Sequence, residues 1–197
     1  MRETELKALV PDESSFRRRL LDAGALAGRE GRLEDRRFDL PGRQLTMRDI
    51  VLRLRVLRSG ATASAWLDWK GAATFEGGYK HREEVSTPVA DAGAMAAILT
   101  ALGYVVTREI DRQVAEFALG GARVRLERFP RMDTLVEVEG PEVAIEGAIA
   151  ATGIPRESFT TDRLIAFVAR YEARTGERAA ICERELRGDY SFALLDA

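Results

Sequence analysis

The chain has 197 residues, of which 46% are apolar and 31% charged, enough to bury one substantial core and to be expected as a single domain over 1–197. A formal net charge of −2 argues against a nucleic-acid binder. The only cysteine, Cys182, and the only histidine, His81, exclude an intramolecular disulfide and a cysteine-held zinc, and argue against a histidine-built metal site or a Ser-His-Asp triad.

His81 reads as a surface residue. No apolar run reaches the roughly 18–20 residues that span a bilayer, and the acidic start is unlike a leader, so a cytoplasmic protein away from membranes is expected.

The chain opens on Glu3-Thr4-Glu5-Leu6-Lys7, where Glu3, Glu5 and Lys7 share one face of an extended strand. Pro11 to Ser14 caps a helix with Phe16, Leu20, Leu21 and Ala25 as its apolar stripe, ended by Gly24 or Gly28. The charged stretch from Arg29 to Arg37 reads as a loop or short strand leading to a Pro41-Gly42 turn. Ile50 to Val56 is a strand with Arg53 and Arg55 on one face, and Ala65 to Lys70 is its hairpin partner across a long connection. Beyond Gly77-Gly78, Lys80, Arg82 and Glu84 alternate with His81, Glu83 and Val85.

Pro88 opens a predicted helix with Val89, Met95, Ile98, Leu99 and Leu102 as its apolar face and Gly103 as its stop. Tyr104 to Phe117 reads as one or two strands carrying Arg108, Arg112 and Glu116. Ala122 to Glu127 and Leu135 to Glu139 form another antiparallel pair. Helices follow over 141–152 and 161–175; 178–187 is a loop or short helix, and Tyr190 to Leu195 is expected to close back onto the body. The strands thus occupy about 1–140, and helices and a tail 141–197.

Strand parity gathers Glu3, Glu5, Lys7, Arg53, Arg55, Lys70, Arg82, Glu84, Arg112, Arg125, Glu127, Glu137 and Glu139 on one almost purely ionic face. A sheet curled into a barrel of about eight strands can hold a small ligand, and places such a face inside and the apolar face under helices. Arginine and lysine bind phosphate oxygens while carboxylates hold Mg²⁺ or Mn²⁺, so the ligand indicated is a polyphosphate with its metal. A solvated open sheet is the alternative.

The opening Glu3-x-Glu5-x-Lys7 resembles the ExExK signature of the CYTH superfamily, the triphosphate tunnel metalloenzymes, which include class IV adenylyl cyclases, thiamine triphosphatases and inorganic triphosphatases. Asp35 to Asp39 is similar to that family's D-x-x-F-D segment and Arg53-x-Arg55 to its RxR strand. Leu67 to Gly71 is similar to its L-x-x-K-G strand, Arg82-Glu83-Glu84 to its basic-acidic strand, and Glu137-x-Glu139 to its final ExE strand. The resemblance implies an α+β fold, a closed eight-stranded antiparallel β-barrel with helices outside. It implies triphosphate contacts from Lys7, Arg53, Arg55, Lys70, Arg82, Arg112 and Arg125, with Lys7 and Lys70 as catalytic cations. Glu3, Glu5, Glu137 and Glu139 would hold the metal, and Glu127 stands where the family often has Asp.

Where many members have K-x-R, this chain has Ile110-x-Arg112, which leaves Arg108 or Arg112 open as the lumen residue. Metal-dependent hydrolysis of tripolyphosphate, thiamine triphosphate or ATP is the leading function. ATP cyclisation to cyclic AMP and a non-catalytic binding module are the alternatives, and a homodimer is left open. Arg53 is expected to be a phosphate clamp whose removal leaves the empty protein no less stable.

Overall fold

A computed structural model describes residues 2–189. The chain runs β1 (Arg2–Leu9), α1 (Glu13–Asp22), β2 (Leu26–Asp39), β3 (Val51–Ser59), β4 (Thr62–Lys70), β5 (Thr74–Glu76), β6 (Tyr79–Val89), α2 (Ala92–Ala101), β7 (Val105–Leu119), β8 (Ala122–Arg128), β9 (Leu135–Glu139), α3 (Glu142–Thr152), α4 (Leu164–Thr175) and α5 (Glu183–Leu186). The strands pair antiparallel in the order β1-β9-β8-β7-β2-β3-β4-β6, and β1 pairs with β6 to close an eight-stranded barrel. β5 is a short ninth strand beside β6. Among the described residues no helix is long and apolar enough to cross a membrane.

Period-two alternation decides what lies on each side of the wall. Leu6 and Ala8 of β1, Val124 and Leu126 of β8, and Val136 and Val138 of β9 point outward under Phe16 and Leu20 of α1 and Ile145 and Ile149 of α3. α2 covers Phe38 and Leu54 with Leu99. α4 lays Phe167 and Val168 against Ile110, Phe129 and Leu135 at one end of the barrel. Strand edges are thereby removed, and the charged face is left inside.

Several elements differ from the sequence reading. The stretch read as a loop or short strand, 29–37, belongs to β2, a strand of 14 residues. Both its faces carry charge, so no apolar alternation marks it. Gly31 is required there, because a Cβ would fall 2.1 Å from the Arg58 carbonyl oxygen. The β3–β4 connection is tight, with Ser59 paired to Thr62 across Gly60 and Ala61. Pro88 and Val89 end β6 instead of opening a helix; α2 starts after Asp91, whose side chain caps the Ala94 N–H at 2.9 Å.

Ile98 and Leu102 are 53% and 66% exposed, and Leu21 is 51% exposed, so neither helix buries the full stripe expected of it. Helix α4 begins at Leu164, three residues later than expected, and 178–187 contains the short helix α5. His81 is buried, not a surface residue: it lies on the face of β6 opposite Lys80 and Arg82 and shares a hydrogen bond with Thr4 Oγ1 at 2.8 Å. The expected return of Tyr190 to Leu195 lies outside the described residues.

Candidate functional site

Cross-strand register builds the lumen from the sequence pattern. Glu5 faces Lys80 and Glu139, Lys7 faces Glu137, Arg125 faces Glu137, and Asp35 faces Arg55. Side chains of directly opposed residues share a face, so each pair converges inside the barrel. The lumen holds a cavity of about 110 Å³ lined by nine cationic side chains and four carboxylates. A larger cavity of about 560 Å³ lies outside the barrel between α1 and α4. Charge, not size, distinguishes the lumen.

Asp35 is the hub. It is 2% exposed and accepts from Arg55 Nε at 2.8 Å and Nη2 at 3.1 Å, from Arg112 Nη1 at 3.0 Å and, more weakly, from Arg53 Nη1 at 3.5 Å. Burial opposes its ionisation, yet Arg55, Arg112 and Arg53 hold the carboxyl well below its usual range. Arg112 Nε also donates to Glu127 at 2.8 Å, Arg125 Nε donates to Glu127 at 3.0 Å, and Arg125 Nη2 pairs with Glu137. Lys7 Nζ lies 2.6 Å from Glu137 and 2.9 Å from Glu5, while Lys80 pairs with the other Glu5 oxygen. Burial disfavours the Lys7 ammonium, but Glu137 and Glu5 outweigh it and raise its pKa.

On the β1–β9 side, Lys70 Nζ reaches Glu3 at 2.8 Å and also Glu84. Burial, then the Arg53 charge, pushes Lys70 down to about 8. Glu3 and Glu139 share a hydrogen bond: burial and Glu3 push Glu139 up to about 8, whereas Glu3 is held low despite burial by that bond and by Lys70. The two carboxyls crowd negative charge, which favours a proton on Glu139 even though Arg123 Nε donates to it at 3.1 Å. Asp49, in left-handed backbone conformation, joins Arg82 at 2.5 Å to Arg163 at 3.0 Å at the end of the lumen where α4 begins.

All the residues singled out from sequence come together around this lumen. Arg112, not Arg108, lines the cavity; Arg108 turns toward Glu185 at 3.5 Å. Arg53 departs from the expectation of a cation unpaired in the empty protein, because its Nε and Nη2 fork onto Asp68 at 3.0 and 2.7 Å. Sequence reasoning missed Asp35, Arg37, Asp68 and Lys80 as lumen groups. Lys80 stands two before Arg82 and Asp68 two before Lys70, so strand parity could have found both. Asp35 and Arg37 were hidden because β2 was not recognised as a full strand.

Beyond the Arg55–Asp35 pair the barrel holds a second compartment of about 140 Å³, where Leu33, Leu57 and Val114 form an apolar layer with Trp66. Arg29 lies 5.3 Å over the Trp66 ring, and Ser86 and Glu116 add polar groups.

For a metal ion the donors are hard carboxylate oxygens. Among the described residues no three such groups converge in a metal-holding cluster. Glu5, Glu127 and Glu137 are each engaged by lysine or arginine, as are Glu3, by Lys70 at 2.8 Å, and Glu139, by Arg123 Nε at 3.1 Å, but Glu3 and Glu139 also adjoin one another. Mg²⁺ is commonly held by one or two carboxylates together with substrate phosphates, and the Glu3–Glu139 pair fits that mode.

A family model described as the CYTH domain matches residues 1–152. A search of curated proteins finds no match. Among solved structures, the PH1819 protein from Pyrococcus horikoshii OT3 is 18% identical with a TM-score of 0.71, covering 85% of this chain and 98% of its own. A candidate adenylate cyclase from Vibrio parahaemolyticus has 18% identity and a TM-score of 0.71 over 85% of this chain and 97% of its own. The HpAC1 protein from Hippeastrum, described as having a dominant triphosphatase activity, has 15% identity and a TM-score of 0.62 over 91% of this chain and 98% of its own. At these identities the likeness concerns the fold.

Proposed function

The chain belongs to the CYTH domain family, and from that membership we propose that it is a metal-dependent enzyme hydrolysing an inorganic or organic triphosphate held in the barrel lumen. The observation that carries this reading is the charge imbalance of the cavity, nine cations against four carboxylates in a largely buried space. Guanidinium and ammonium donors turned toward one cavity match the phosphoryl oxygens of a polyanion, which takes the excess positive charge of the wall. The activity described for the Hippeastrum neighbour agrees with this direction.

Mg²⁺ or Mn²⁺, when bound, neutralises charge on the phosphoryl oxygens. Glu3 and Glu139 would hold it, joined by Glu137, Glu5 and Glu127 as substrate phosphates take over their lysine and arginine partners. Lys7, with its raised pKa, remains a fixed cation that stabilises charge on the leaving phosphates. Lys70, at about 8, lies close to the range in which a side chain gives or takes a proton, and it is assigned the water-side proton transfer. Arg53, Arg55, Arg112 and Arg125 orient the chain through paired N–H donors, with Arg82 at the α4 end.

One observation favours a second reading, ATP cyclisation to cyclic AMP. The compartment containing Trp66 and Ser86 offers an aromatic face and a hydroxyl beside the phosphate chamber, features suited to a base. The two readings separate when purified protein is given tripolyphosphate, thiamine triphosphate and ATP with Mg²⁺ or Mn²⁺, and phosphate, pyrophosphate and cyclic AMP are quantified. Phosphate release with turnover supports hydrolysis, and cyclic AMP with pyrophosphate supports cyclisation. Saturable binding without product replaces both with a binding module.

A further inference from the structure

Of the nine cations around the cavity, eight have a carboxylate within salt-bridge distance, whereas Arg37 has none among the described residues. Arg37 lies on the lumen face of β2, directly opposite Arg53 on β3 and Arg108 on β7, so its lateral neighbours are cations. The two carboxylates nearest in sequence are committed elsewhere. Asp35 is taken by Arg55 and Arg112. Asp39 accepts from the backbone N–H groups of Leu40, Leu45 and Thr46 at 2.7–2.9 Å and from the Thr46 hydroxyl at 2.7 Å, which ties down the turn after β2.

The Arg37 Nε–H is buried with no acceptor among the described residues. Burial and the charge of Arg53 push its guanidinium down to about 9 even with Asp35 nearby, which marks a cation whose surroundings do not balance it. A buried donor without an acceptor weakens the empty fold, so its presence points to a partner outside the chain. A guanidinium fork facing a cavity crowded with cations suits a phosphoryl group, which accepts two parallel N–H bonds and brings negative charge.

Resting on the triphosphate reading above, we infer that Arg37 is a substrate-binding residue that anchors one phosphoryl group of the polyphosphate at the α4 end of the lumen. It stands two residues before the end of β2, in the cavity wall that also includes Arg163 and Leu164 at the start of α4. Its role is separable from that of Arg53, Arg112 and Arg125, which also hold the empty barrel together through their carboxylates.

The experiment measures tripolyphosphate binding by calorimetry, with and without Mg²⁺, for wild type, Arg37→Ala, Arg37→Lys and Arg36→Ala, together with the melting temperature of each empty protein. Arg36 is the neighbour on the outer face of the same strand and serves as the control. Arg37→Ala is expected to weaken binding about ten- to a hundredfold, the range for a hydrogen bond to a charged group. Its empty form should melt at or above wild type, because like-charge repulsion is relieved. Arg37→Lys should recover part of the affinity, and Arg36→Ala all of it.

Wild-type affinity in Arg37→Ala overturns the inference, as does a fall in its empty melting temperature matched by an unchanged affinity. Failure of wild type to bind tripolyphosphate would instead remove the functional reading on which the inference rests.

Discussion

Replacing Asp35 with Asn removes one negative charge at nearly constant volume from the point where β2, β3 and β7 are tied together. Among the described residues, Arg55 then loses the only carboxylate that its Nε and Nη2 contact, at 2.8 and 3.1 Å, and Arg112 loses one of two. Breaking a buried ion pair from one side leaves an uncompensated charge and destabilises by roughly 3–5 kcal/mol, with Asn near the lower end because its carbonyl still accepts. For a chain of this size that corresponds to a melting temperature lower by roughly 6–20 °C. Tripolyphosphate acts in the opposite direction: a ligand that binds only the folded state at a hundredfold excess over its Kd adds about 2.7 kcal/mol. The freed guanidiniums of Asp35→Asn are available to that ligand, so its ligand-induced shift should equal or exceed that of wild type. Thermal denaturation of both proteins with and without tripolyphosphate tests this. An empty-protein loss under about 2 °C, or a ligand shift smaller than wild type, would refute the view that Asp35 stands in for an anion in the empty lumen.

Among the described residues, Arg53→Ala leaves Asp68 with only the Ser86 hydroxyl at 2.6 Å as a hydrogen-bond donor, so the empty protein should lose roughly 3 kcal/mol, read as a lower denaturation midpoint. An unchanged midpoint would mean that the Asp68 fork contributes nothing. Glu137→Gln and Glu139→Gln should both abolish most turnover and weaken Mg²⁺ binding in a metal titration. Glu137→Gln should lower the melting temperature more than Glu139→Gln, because Glu137 holds the buried Lys7 and Arg125 whereas Glu139 holds Arg123, which is partly exposed. Acid sensitivity follows from Asp35, whose carboxyl in the folded protein is held well below the usual carboxylate range by Arg55, Arg112 and Arg53 despite its burial. Its contribution is complete above about pH 4 and is lost as pH falls through that value toward the folded pKa, so wild type should lose stability more steeply than Asp35→Asn in an acid titration followed by circular dichroism.

The ionic wall was legible in the sequence because strand parity is local. Glu3, Glu5 and Lys7, Arg53 and Arg55, Arg125 and Glu127, and Glu137 and Glu139 each declare a shared face within five residues or fewer. The same rule failed for β2, where charged side chains on both faces erase the contrast that reveals a strand, and Asp35 and Arg37 went unassigned with it. His81 looked like a surface residue because it stands among charged neighbours; its partner Thr4 lies on β1, far away in sequence. Whether the ionic face lies inside or outside depends on β1 pairing with β6 across some 75 residues of intervening chain, a closure that no local period encodes. The partner of each cation is likewise a tertiary matter, since Arg53 and Arg37 sit opposite one another in the sheet yet, among the described residues, only Arg53 reaches a carboxylate. That difference, set by where Asp68 and Asp39 direct their oxygens, separates a cation that holds the barrel together from one left for a ligand.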